Sequence, residues 1–443
     1  MKKLLALVAC LLLLSALAFG SGAKESGAGK IIEIRDMTPH LSGEGDYGKH
    51  YEATQAKFMK DHPNIRIVHD ALPSADLRTK ITVEMAAGNP PHTAWNILSY
   101  AREFMRDGKI IDWRPVYDDP RHPEFKKWFT KTVLETPTDA EGHIMMAPYE
   151  SHIDGLFYNQ TLFNKYGWTP PKTFDEFVAL GPKARAQGIS ATITGGKIIR
   201  FAWLASILLA RTGGLENARA LAIGNAKDQW DNPKYGFPQA MKKFEEMVKA
   251  GVYPDGVLGM DDNEANQVFA TGRSLTYYEG QWRPNQWRKI GGEDFYQNSL
   301  RRMDFPAMTD MPMGDPKVRT GGVIAGRIVA SVYPEEETQA SIEWTKYVCA
   351  PEFSIAALEA ESNLYSGNVK WNESKASVVW KQVVEAFRNA PAYIPSMDAF
   401  AAPAIDLTIK KTAMPGIITG EYTAAKAVAE VQKAAVEYIK SLK

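Results

Sequence analysis

GHIMMAPYESHIDGLFYNQTLFNKYGWTPPKTFDEFVALGPKARAQG, residues 142–188, decides how the rest of this chain is read. Ile144-Met145-Met146-Ala147 is a strand-like apolar run that Pro148 is expected to stop. A polar cluster follows: Tyr149, Glu150, Ser151, His152 and Asp154. The chain then re-enters an apolar run, Leu156-Phe157-Tyr158, and turns at Asn159. Beyond Gly167-Trp168 and Pro170-Pro171, Thr173-Phe174-Asp175-Glu176 has the spacing of a capping box. The Thr173 hydroxyl accepts from the Glu176 amide, and the Glu176 carboxylate reaches back to the Thr173 amide. Phe174, Phe177, Val178 and Leu180 supply the apolar face of the helix it opens. A polar cluster between two short apolar strands reads as a crossing from one domain to another. A crossing with several hydrogen-bonding groups is a natural place for a ligand cleft.

Working outward, 443 residues are too many for one ordinary domain and suit two sizeable ones. Lys+Arg and Asp+Glu are both 52, for a formal net charge of +0. That balance advertises neither nucleic acid nor an anionic membrane surface as a partner. Residues 1–20 have the build of a secretory signal: Lys2-Lys3, an apolar run Leu4 to Leu14, then small residues. The run is too short and wrongly flanked for a transmembrane anchor. Leu7-Val8-Ala9-Cys10 has the outline of a lipoprotein cleavage box, but a lipid anchor on Cys10 would leave the signal almost no hydrophobic core. With Cys349 as the remaining cysteine, a mature chain forms no internal disulfide. Cys349 reads as a small buried hydrophobe, and the cores alone hold the fold.

Residues 21–30 are rich in Gly, Ala, Ser and Lys and read as a leader before the folded chain. Ile31-Ile32-Glu33-Ile34 is a short strand, followed by a polar turn with Ser42, Glu44 and Asp46. A helix over about Lys49–Lys60, a strand Ile65-Arg66-Ile67-Val68 and a helix with Leu77, Ile81 and Met85 on one face come next. Strand, helix, strand, helix is the α/β signature with a parallel sheet. From Lys183 to about Arg301 the pattern is helical with few strands, and Phe201 to Leu209 is apolar all round, as a buried helix is.

Several stretches together resemble one known family. Pro148-Tyr149-Glu150, then Leu156-Phe157-Tyr158-Asn159-Gln160-Thr161-Leu162-Phe163-Asn164-Lys165-Tyr166-Gly167-Trp168, then Pro170 to Phe177, are similar to the P-Y…L-x-Y-N-x-x-L-F-x-K-x-G…P-P-x-T-W/F-x-E-F pattern of extracellular solute-binding family 1. This is the maltose-binding-protein-like group that serves ABC importers. Phe58…Pro63-Asn64-Ile65 and Ala87-Gly88-Asn89-Pro90-Pro91 also fit, with His92 where the family has Asp. Val268 to Trp282 resembles its F-x-x-G-x-x-A-M-x-x-x-G-x-W, and Gly321-Gly322 resembles a returning strand. The resemblance runs from about Ile31 to the end. It implies an α/β, two-lobed periplasmic binding protein of class II type, with three hinge crossings and a ligand cleft between the lobes. The expected division is 31–152 with 309–349 in one lobe and 153–308 with 350–443 in the other. Asp304-Phe305-Pro306 is the expected second crossing and Pro351 marks the third.

A sugar site needs flat aromatic faces for the C–H patches of pyranose rings and planar polar groups for hydroxyls. Trp282 is the first aromatic candidate, then Trp203, with Trp95 and Trp371 in loop-like contexts. Tyr149, Glu150, His152 and Asp154 lie on the first crossing, and Ser42, Glu44 and Asp46 follow the first strand, where α/β sheets place ligand contacts. Glu279 and Arg283 flank Trp282, and Gly322 lies on the returning strand. The resemblance implies capture of a small carbohydrate by lobe closure and delivery to the membrane permease subunits. It implies a monomer exported to the periplasm, with no cofactor. A polyol, a glycerol-phosphate-like compound or a polyamine is the alternative solute. An anion would need Arg200, Arg283 or Arg319 in the cleft. Glu150 with Asp154 or Glu279 also fits the acid and base of a glycosidase, a residue pair that plain binders share. No nucleophile elbow, Walker-type loop or dinucleotide fingerprint is present, and the histidines lack metal-site spacing.

Overall fold

The computed structural model describes residues 30–442 except 41–44, 131–132, 135, 140, 198–199 and 368; for 45–47, 324 and 400 it describes the backbone alone. The expected signal, Cys10, Ser42, Glu44 and the Asp46 side chain therefore lie outside the described residues. The strands are β1 (Ile32–Thr38), β2 (Ile65–Ala71), β3 (Thr93–Ile97), β4 (Ala147–Asn159), β5 (Ser190–Ile193), β6 (Ser274–Gly280), β7 (Leu300–Met303), β8 (Arg319–Val329) and β9 (Tyr393–Ile394). They form one sheet in the order β2-β1-β3-β8-β4-β6-β5, with β7 also on β4 and β9 on β8. β1 pairs in parallel with β2 and β3, as the alternating strand–helix pattern requires. β8 then runs antiparallel to both β3 and β4.

β4 differs from the sequence expectation. Pro148 does not stop a strand; it lies inside a single 13-residue strand that carries the polar cluster through without a break. The ladder to β8 shifts register between Pro148 and Glu150 and again between Glu150 and Ser151. Such irregularities tolerate a residue with no N–H to donate. Just beyond them on the ladder, Gly321 (φ 153°) and Gly322 (φ 91°) pair with Ile153 and His152. A Cβ on Gly321 would stand 2.3 Å from the His152 carbonyl oxygen, so the two backbones approach closely only because it is glycine.

The buried apolar residues fall into two clusters joined by this ribbon. One holds Ile34, Met37, Tyr51, Trp95, Trp113, Tyr149, Ala325, Ile328, Trp344 and Phe353. The other holds Ile153, Phe157, Trp203, Trp230, Tyr277, Trp287, Val318, Trp380 and Val431. Along β4 the change comes between Tyr149 and Ile153, and on the return between Val318 and Ala325. Later in the chain Ala357 packs in the first cluster and Leu358 and Leu364 in the second, while Tyr365 and Ala399 return to the first, so the change begins after the expected position near Pro351. Phe305 belongs to the second cluster, so the Asp304–Pro306 segment does not leave it.

The helices follow their sequence signals. Both halves of the Thr173–Glu176 capping box form. Helix Arg200–Ala222 is buried on every side over its first four turns, and it kinks at Gly214, where φ is 77°. Helix Glu335–Val348 buries Trp344 and Val348, and the terminal helix Ala424–Ser441 buries Ala424, Val428, Val431 and Ala435. Among the described residues, no helix is long and apolar enough to cross a membrane.

Candidate functional site

The polar cluster on β4 meets three other segments where the two apolar clusters join. His152 and Asp154, two apart on the strand, share one face. His152 Nε2 lies 3.4 Å from Asp154 Oδ1. Both side chains are buried, and neither has a hydrogen-bond partner among the described residues. Buried polar groups are nearly always satisfied, so this pair has unused capacity at a place where the fold does not need it.

Beside His152 stand two indoles. The Trp203 and Trp282 rings are 5.2 Å apart at 80°, and the His152 ring is 6.3 Å from the first and 5.9 Å from the second. Trp203 comes from the buried helix Arg200–Ala222; Trp282 follows β6. A Cβ on Gly280 would stand 2.1 Å from the Trp282 ring, so the indole lies folded back over bare backbone. Arg200 stacks on Trp203 with its guanidinium carbon 3.9 Å from the ring centroid.

Arg200 is fixed in turn by carboxylates. Its Nη2 donates to Asp262 at 2.7 Å, and its Nε lies 2.9 Å from Glu279 Oε2 in an ion-pair contact off the hydrogen-bonding line. Arg283 pairs with Asp262 and lies 3.6 Å from Glu279. Burial works against the Arg200 charge, but Glu279 and Asp262 outweigh it and raise its pKa above the usual range. Burial also pushes the Glu279 carboxyl up, and the two guanidiniums only partly offset that. Asp262 is held below the usual carboxylate range because Arg200 and Arg283 together outweigh its burial.

A second polar chain crosses from one cluster to the other. The Trp95 indole donates to Glu150 Oε2 at 2.6 Å, and Asn363 Nδ2 donates to Glu150 Oε1 at 2.6 Å. Gln281 Nε2 donates to Asn363 Oδ1 at 2.6 Å, and Gln281 Oε1 accepts from the Ile153 amide at 2.9 Å. Trp95 thus reaches Ile153 through three side chains. Trp203 Nε1 donates to Asp398 Oδ1 at 3.0 Å.

Of the sequence candidates, the structure brings together Trp95, Glu150, His152, Asp154, Trp203, Trp282, Glu279 and Arg283. Tyr149 points elsewhere: its hydroxyl meets His40 Nε2 at 3.0 Å, inside the first apolar cluster. Gly322 backs onto Tyr393, whose Cβ lies 3.4 Å from where a side chain would begin. Trp371 packs on the second cluster, and Arg319 is engaged by Asp304. Gln281, Asn363 and Asp398 were not singled out from sequence. Gln281 adjoins the Trp282 motif and is legible there; Asn363 sits in an irregular segment and Asp398 in a four-residue helix, both too short to show periodicity. A groove of about 620 Å³ lies apart, lined by Tyr158, Pro170, Pro171, Asp304, Pro306 and Pro316. None of the indole-corner residues lines it. Among the described residues, Asp139, Glu141 and His143 bring ligand atoms within 4.8 Å of one another, but none of them belongs to the site.

Residues 42–347 match the family model described as bacterial extracellular solute-binding protein. A diacetylchitobiose binding protein, NgcE of Streptomyces coelicolor, is 28% identical over 302 residues, covering 66% of this chain and 60% of its own length. A probable sugar-binding periplasmic protein of Mesorhizobium japonicum is 29% identical over 227 residues, covering 49% of this chain and 51% of its own. The chain thus spans between half and three-fifths of the length of these relatives. A solved chitin oligosaccharide binding protein superposes with a TM-score of 0.82 at 22% identity, covering 92% of this chain and 99% of that one, and shares the two-lobed fold. With the family match extending over most of the sequence and the fold agreeing over 92% of the chain, this chain belongs to the bacterial extracellular solute-binding protein family.

Proposed function

We propose that this protein is the solute receptor of an ABC importer, and that it captures a neutral mono- or oligosaccharide between its lobes for delivery to the membrane permease. The observation that carries the reading is the right-angled Trp203–Trp282 corner beside His152 and Asp154, whose side chains face each other at 3.4 Å and make no hydrogen bond among the described residues. Indole faces suit the C–H patches of a pyranose, and the imidazole and carboxylate suit its hydroxyls. The names of the two relatives above, one binding diacetylchitobiose and one described as sugar-binding, support the same class.

The charge pairing also favours an uncharged ligand. Arg200 and Arg283 face Asp262 and Glu279, and Arg319 and Arg302 both face Asp304, so each of these guanidiniums already has a carboxylate among the described residues. Glu150 is engaged by Trp95 and Asn363, which removes one carboxylate a polyamine would need. In the proposed lobe division, the first and second crossings fall at Tyr149–Ile153 and Val318–Ala325, and the third at 357–365. The boundaries at 308/309 and 349/350 move accordingly, because Val318 packs with the second cluster and Phe353 with the first. Binding selects the closed arrangement, and that arrangement docks on the permease as a monomeric receptor outside the inner membrane.

The test is a melting-temperature screen against sugars, polyols, polyamines and divalent metals, after unfolding and refolding to strip carried-over solute. A ligand at a hundred times its Kd stabilises by about 2.7 kcal/mol, and a shift with one saccharide class is the expected result. A shift with polyamines alone overturns the sugar. In the saccharide complex, Trp282→Ala weakens binding by about 1–3 kcal/mol. Turnover of a chromogenic glycoside that is lost in Glu150→Gln would replace the receptor reading with an enzyme.

A further inference from the structure

Asp398 sits in a four-residue helix, Met397–Phe400, far from every motif in the sequence. It is buried, and it makes two hydrogen bonds in different directions. Its carboxylate Oδ1 accepts from Trp203 Nε1 at 3.0 Å, and its backbone carbonyl accepts from Ser99 Oγ at 2.8 Å. Trp203 belongs to the second apolar cluster, whereas Ser99 lies on helix Leu98–Arg106, which leaves β3 within the first. The residues flanking Asp398 divide the same way: Met397 packs in the second cluster and Ala399 in the first.

We propose that Asp398 is a positioning residue that makes the orientation of the Trp203 indole conditional on contact between the lobes. An indole N–H buried without an acceptor is costly, so Trp203 keeps its present rotamer only while the Asp398 carboxylate is in reach. The carboxylate is in reach while its helix is seated, and the helix is seated by Met397 on the Trp203 side and by the Ser99 hydroxyl of the opposite lobe. Opening the lobes withdraws Ser99 and loosens the short helix, and with it the hold on the indole. A ligand that stacks on Trp203 therefore binds one lobe arrangement better than the other, and this differential affinity is what drives a closure equilibrium. The effect on ligand affinity rests on the carbohydrate reading above; the effect on the indole does not.

The experiment uses the full chain, labelled with 15N, and follows hydrogen exchange of the Trp203 indole N–H, assigned with Trp203→Phe. Asp398→Ala is expected to speed that exchange by about tenfold or more, because the acceptor is gone. Asp398→Asn retains an oxygen acceptor and restores protection to within about threefold. Ser99→Ala, which leaves the carboxylate intact, raises exchange by an intermediate factor. Titration with the saccharide found in the melting screen should rank the four proteins in the same order. Unchanged exchange in Asp398→Ala overturns the proposal, and so does an Asn variant that behaves like Ala. If Asp398→Ala does not fold, Ser99→Ala decides instead: it leaves the carboxylate in place, and unchanged exchange of the Trp203 indole N–H in that variant overturns the assignment. If no saccharide binds the wild-type protein, the carbohydrate reading fails while the exchange result still decides the role of Asp398.

Discussion

Each apolar cluster buries a set of charged groups, and the two sets are built differently. In the first, one carboxylate faces one guanidinium: Asp36 on β1 pairs with Arg327 on β8, with the Tyr51 hydroxyl donating to Asp36 at 2.6 Å. Burial pushes His40 well below its ordinary pKa, so it stays neutral beside them. In the second, two carboxylates face two guanidiniums, and the product is a stacked Arg200 beneath Trp203. The first pair ties strands of one sheet together across β3. The second holds an aromatic face in position. Buried ion pairs are weak evidence for stability, since desolvation rivals attraction, but each fails in its own way when one partner is removed.

Asp36→Ala should have the largest effect. It leaves Arg327, fully buried, with no counter-ion, at a cost of about 3–5 kcal/mol in chemical denaturation. Asp262→Ala should cost less, about 1–3 kcal/mol, because Glu279 still faces Arg200, and part of the loss should appear as weaker ligand binding. Equal costs for the two variants would erase the distinction between a pin and a mount. Gly280→Ala comes next: the added methyl must displace the Trp282 indole, so affinity falls about tenfold while unfolding changes by about 1–3 kcal/mol. Affinity unchanged in that variant would take Trp282 out of the site.

The smallest effect is in pH. Burial first, then the Asp398 charge, pushes the Asp406 carboxyl up to about 6 despite Lys410 beside it. The folded state therefore holds a proton that the unfolded chain, near about 3.9, has already lost. Stability from this group is present at low pH and is lost as pH rises through about 6. Between pH 7 and pH 5 it contributes about 1 kcal/mol in favour of the acidic side. Asp36 has the opposite sign: its carboxyl is depressed, its stabilisation is complete above the unfolded value and is lost only below about pH 4. Denaturation of wild type and Asp406→Asn at the two pH values separates them, since the variant should lack that increment.

Much of this was legible in the sequence, and the limits have physical causes. Thr173 and Glu176 announce a cap because the interaction is local, and the all-apolar Phe201–Leu209 run announces a buried helix because nothing in it seeks water. Trp95, Glu150, His152, Trp203 and Trp282 were named as candidates, and they do converge. Their relation to one another was not readable, because it depends on Asn363, Gln281 and Asp398, which link segments far apart in sequence and carry no periodic signal. Tyr149 shows the reverse hazard. It stands next to Glu150 in the chain, yet strand alternation sends it to the opposite face and into a core. Pro148 reads as a stop because a central strand has no place for it; a shift in register makes one.

The Asp36–Arg327 pair also sets a clock. The partners are 291 residues apart, and synthesis runs from Asp36 toward Arg327. At about 5–20 residues per second, Asp36 waits roughly 15–60 s for the only guanidinium it pairs with among the described residues. Helix Glu335–Val348, whose Trp344 helps close the same core, emerges later still. The first α/β unit, though complete in its strands and helices by Ile97, carries a carboxylate that has the Tyr51 hydroxyl but no guanidinium partner until most of the chain exists. A nascent chain halted before Arg327 should therefore remain protease-sensitive in its N-terminal third, while one extended past Phe353 should become resistant there.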